Sequence, residues 1–81
     1  MINNDLDKIL KCWQRKAKRL ILDGYYDSVH LSELQYSALR QVTNAKTPKD
    51  VNSYLWNSGL IEQTLASISG SIANLKRCER V

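Results

Sequence analysis

Ile61, Leu65, Ile68, Ile72 and Leu75 are separated by four, three, four and three residues, so all five fall on one stripe of an α-helix. The same spacing recurs near the N-terminus in Leu6, Ile9, Leu10, Trp13, Ala17, Leu20 and Ile21. A strand would bury every second residue, and no segment of any length alternates in that way. The two stripes occupy both ends of an 81-residue chain, which leaves room between them only for short elements. The expected fold is therefore all-α: one small four-helix domain over residues 1–81, with helices at about 4–22, 33–43, 48–57 and 60–78.

Local signals set those boundaries. Asn4 is expected to cap the first helix, with Asp5 and Asp7 placing negative charge at its electropositive start. Gly24 is expected to end it in the left-handed conformation. Residues 24–31 read as a connector. Ser32 followed by Gln35 forms a capping box, and Leu31 with Tyr36 can form the accompanying hydrophobic staple. The second helix then turns Leu34, Ala38, Leu39 and Val42 inward. Thr47 and Pro48 are a capping residue and a proline at the first helical position, so a third helix is expected to start there. It would turn Val51, Tyr54 and Leu55 inward and stop near Gly59.

In the last helix Ala66, Gly70 and Ala73, with Ser67, Ser69 and Ser71, flank the apolar stripe. Glycine costs about 1 kcal/mol of helix propensity relative to alanine, so Gly70 is expected to admit a close backbone contact. Lys76, Arg77 and Arg80 suit the electronegative C-terminal end. A domain this small has a limited core. Ile61, Leu65, Ile68, Ile72 and Leu75 thus read as a packing seam or a dimer seam, the stripe of the first helix is the other possible joint, and a homo-oligomer is expected.

Charge is unevenly spread. Residues 1–22 hold six bases and two acids, a net +4 that equals the formal charge of the whole chain. At 100° per residue, Lys8, Lys11, Arg15, Lys18 and Arg19 share the face opposite the apolar stripe, with Lys16 at its edge. No acid occurs between Asp7 and Asp23. Such a face attracts phosphates or carboxylates. Tyr25 and Tyr26 follow it and could stack on unpaired bases or cover the core edge. The expected function is a small non-catalytic nucleic-acid-binding or regulatory protein that contacts phosphates through this face. The alternative is a protein-interaction module, such as an inhibitor, adaptor or small complex subunit of phage or plasmid type, docking the same cations on an acidic protein surface.

Other classes find little support. His30 is the single histidine, and Cys12 and Cys78 lack any zinc-ligand spacing. No serine sits in a Gly-x-Ser-x-Gly elbow, and three isolated glycines cannot build a phosphate-cradling loop. No enzyme, metal or cofactor is expected. Two cysteines are too few for the disulfide framework of a small secreted domain, which points to a reducing cytoplasm. No run reaches the ~18 apolar residues of a membrane span, and Met1–Asp5 is acidic where a signal peptide is positive. The first helix is basic and amphipathic like a membrane-surface helix, but its stripe is needed internally, so no membrane partner is expected. Residues 48–68 invite comparison with helix-turn-helix. Against it, Tyr54, Leu55 and Ser58 are unsuited to that turn, and the reading helix would begin Leu60-Ile61-Glu62-Gln63-Thr64 with no Arg or Lys.

Overall fold

The computed structural model describes residues 2–79 of the chain and the side-chain surroundings of residues 5–78. Four α-helices follow one another: α1 (Ile2–Leu22), α2 (Glu33–Asn44), α3 (Ser53–Ser58) and α4 (Leu60–Glu79). Single 3-10 turns lie at Tyr26–Ser28 and Pro48–Asp50, and there is no strand among the described residues. α1, α2 and α4 pack on one another, and α3 packs on α4. Lys76 Nζ lies 3.1 Å from Asp23 Oδ2 and joins the C-terminal ends of α1 and α4, so these two long helices run the same way.

α1 is already helical at Asn4, two residues past its start at Ile2, so Asn4 is not the boundary; its side chain lies outside the described residues, as does Arg80. Leu10, Trp13 and Ala17 are buried and Leu6 and Leu20 half-buried, as the stripe requires. Ile9 and Ile21 are 41% and 37% exposed, because they sit at the two margins of the stripe and meet no facing helix squarely. Gly24 does not adopt the left-handed conformation expected of it; only Gly59 does, at φ 73°. Asp23 makes the exit instead. Its carboxylate accepts from the Tyr25 N–H at 3.1 Å and its carbonyl accepts from the Tyr26 N–H. An aspartate can close a turn onto its own downstream backbone and so relieves Gly24 of the task.

α2 starts as expected: Ser32 Oγ accepts from the Gln35 N–H, and Gln35 Oε1 accepts from the Ser32 N–H. Ala38, Leu39 and Val42 are buried, whereas Leu34 is 53% exposed one turn before the helices converge. The other end is closed from outside. Gln14 Nε2 on α1 donates to the carbonyl of the cap residue Ala45 (2.7 Å) and to that of Val42 (3.0 Å), which otherwise accepts only a long 3.4 Å bond from the Ala45 N–H.

The third helix departs most from expectation. Thr47 and Pro48 start only a 3-10 turn, because Asp50 folds back and accepts from the Lys46 and Thr47 N–H groups at 2.9 and 3.0 Å. Val51 is then extended (φ −97°, ψ 128°), which drops its side chain into the core and breaks the helix. Asn52 supplies a second cap by accepting from the Tyr54 N–H, and α3 runs only over Ser53–Ser58. This later start rotates the segment. Leu55 is buried, but Tyr54, expected inward, is exposed, and Trp56 takes the inner position. The Trp56 ring stacks on Trp13 with centroids 4.8 Å apart, and its Nε1 donates to the Pro48 carbonyl.

In α4, Ile61, Leu65, Ile68 and Ile72 are buried and Leu75 is half-buried, all against the chain's own core. Thr64 is buried beside them with its hydroxyl donated to the Leu60 carbonyl at 2.7 Å. The small flank is a correction. Ala66, Ser67, Ser69, Gly70 and Ala73 are exposed, and a side chain at Gly70 would meet nothing within 4 Å. No other helix among the described residues comes that close to Gly70 on its open side.

Candidate nucleic-acid interface

The outer face of α1 follows from its inner one. Burying Leu10, Trp13 and Ala17 fixes the rotation of the helix, and the residues about 180° away must then face water. Lys8, Lys11, Arg15, Lys18 and Arg19 are all exposed, as is Lys16 at the edge. From Lys8 to Arg19 the line rises through eleven residue steps, about 16 Å along the α-helix. One member has an acidic partner among the described residues: Lys11 Nζ lies 3.2 Å from Asp7 Oδ2, one turn earlier on the same helix. An exposed pair of this type is weak and competes poorly with a phosphate. Glu62 of α4 lines a groove together with Lys16 and Arg19, but no carboxylate from α2, α3 or α4 forms an ion pair with the line among the described residues.

Tyr25 and Tyr26 are drawn into the fold. Both are half-buried and pack against the core, and Lys76 Nζ lies 5.8 Å above the Tyr25 ring. Burial, with Tyr36 and Asp27 nearby, raises the Tyr26 phenol above its ordinary pKa. The rings are thus partly covered by the fold, whereas the five cations of α1 stand in water. Leu22, 75% exposed, closes the C-terminal end of the line beside Lys18 and Ile21. This apolar spot was not foreseen, because Leu22 falls outside the apolar stripe. Cys12, Cys78 and His30 are exposed and far apart in sequence.

Residues 48–68 do not form a helix-turn-helix. That motif joins its helices by a turn of about three or four residues. Here Gly59 alone separates α3 from α4, and α3 has six residues. Thr64, near the start of the helix that would read bases, is buried.

No helix among the described residues is long and apolar enough to cross a membrane. No protein-family model, curated protein or solved structure matches the chain.

Proposed function

We propose that the protein binds nucleic acid through phosphate contacts from Lys8, Lys11, Arg15, Lys18 and Arg19, with no catalytic role and little base specificity. The observation that carries this reading is the exposure of all five cations along about 16 Å of one helix, with a single local acid pair among them. Duplex DNA presents a charge every ~1.7 Å of its axis, so a line of this length meets several phosphates at once. Each neutralised phosphate releases counterions, and affinity then falls steeply as salt rises. Low specificity follows from the kind of contact proposed, since phosphate contacts position a protein on the duplex without reading its sequence.

The same cations could instead meet an acidic protein surface. A binding series with single-stranded and duplex oligonucleotides at two salt concentrations separates the two readings. Salt-sensitive binding that disappears in the Lys11→Glu, Arg15→Glu double variant is the expected result. Absence of binding even at low salt would overturn it in favour of the acidic protein surface.

A further inference from the structure

We infer that α4 is the joint of a homodimer, in which two copies meet antiparallel about a two-fold axis passing between Ser69 and Gly70. The exposed face of α4 reads Glu62, Ala66, Ser69, Gly70, Ala73, Arg77, and its spacings of four, three, one, three and four residues are the same in both directions. An antiparallel copy therefore sets Ala66 against Ala73, and Ser69 against Gly70, at a height where side chains are small enough for backbones to approach closely. The centre pairs a serine with a glycine, and the two ends differ in sign. Glu62 of each copy falls opposite Arg77 of the other, which gives two ion pairs per dimer. Within one chain the two residues are fifteen positions apart, about 22 Å, so neither can satisfy the other.

Three further observations favour a second copy as the occupant. Among the described residues nothing lies within 4 Å of where a Gly70 side chain would stand, so no packing there explains a residue unfavourable in a helix, whereas a facing backbone would. The groove between α1 and α4 borders this face and shares Glu62, Ala66 and Ser69 with it, and Ile9 at its edge is 41% exposed. Burying that groove adds apolar area to a core that is small for an independent domain. Finally, the face carries one acid and one base at opposite ends, so a uniformly acidic partner would be repelled by Glu62, whereas a copy of this chain matches both ends. This joint differs from the Ile61–Leu75 seam, which is used up inside each chain. Arg19 and Lys16 line the bordering groove, whereas Lys8, Lys11, Arg15 and Lys18 lie outside it, so most of the basic line stays clear of the joint and dimerisation is tested separately from nucleic-acid binding.

Sedimentation equilibrium of the full chain from low to high micromolar concentration provides the test. The wild type is expected to dimerise. Glu62→Arg alone and Arg77→Glu alone each place like charges opposite one another twice per dimer and are expected to raise the dissociation constant about tenfold or more. The combined Glu62→Arg, Arg77→Glu variant restores both pairs in reversed order and is expected to recover the dimer. Because these residues are exposed, circular dichroism of each variant should match the wild type. Gly70→Leu is a fold-preserving control: it raises helix propensity yet holds the two backbones apart, and is expected to yield monomer. A wild-type chain that stays monomeric throughout would overturn the joint and assign the α4 face to a different protein. A dimer indifferent to the single reversals would overturn it in favour of another interface.

Discussion

α1 and α4 are nearly equal in length, 21 and 20 residues, and each buries a stripe of the same three-and-four spacing. Their outward faces are opposites. α1 exposes six cations from Lys8 to Arg19, five of them on its outer line, whereas α4 exposes no charge at all between Glu62 and Lys76. Inner stripes with equivalent roles thus place no demand on what faces outward. A charged outer face keeps a neighbour at a distance and draws phosphates; an uncharged face of alanine, serine and glycine does neither and admits a close neighbour. On the readings proposed above, the difference separates a surface suited to a polyanion from one suited to another helix.

The sharpest contrast should appear between the inner and outer sides of α1 itself. Trp13→Ala removes a buried ring and its stacking partner at Trp56, and should cost about 3–5 kcal/mol of stability in urea titration. Arg15→Glu with Lys18→Glu, on the outer side, should leave the unfolding midpoint nearly unchanged and weaken oligonucleotide binding by about a hundredfold at low salt. Ser67→Glu, an equally exposed change on α4, should leave oligonucleotide binding as it was. Equal losses from α1 and α4 changes would dissolve the distinction between the two helices.

A smaller effect is expected where α1 touches α2. Gln14→Ala withdraws the donor from the Val42 and Ala45 carbonyls and should cost about 1–2 kcal/mol, read by thermal or urea unfolding. The smallest concerns Asp50, whose carboxyl is held below its ordinary range chiefly by the Lys46 and Thr47 backbone N–H groups. A carboxyl with a lowered folded pKa stabilises the fold above its unfolded pKa, and that contribution disappears as pH falls through the folded value. Stability should therefore decline on acidification below about pH 4, and Asp50→Asn should flatten part of that decline. An unchanged acid limb in the variant would contradict the assignment.

Much of this architecture was legible because its signals are local. The α2 start needs only Ser32 and Gln35, and the α4 seam needs only its own spacing. What escaped depends on partners distant in sequence or on competing local bonds. Trp56 stacks across 43 positions on Trp13, and Gln14 closes a helix 28 residues away, contacts that no periodicity announces. Thr47-Pro48 is a sound start signal, yet the Asp50 carboxylate engaged the backbone first and Val51 was drawn into the core. The basic line was readable because exposure follows from the rotation that the buried stripe imposes. Gly70 was misread because a sequence shows that small size is wanted without showing whether the neighbour belongs to the same chain.

The salt dependence of duplex-oligonucleotide affinity tests the role of the α1 line most directly. With four or five phosphates contacted, log K should fall against log salt with a slope of about −4, and the Arg15→Glu, Lys18→Glu variant should show a clearly shallower one. A slope near zero, or a slope identical in wild type and variant, would contradict the account.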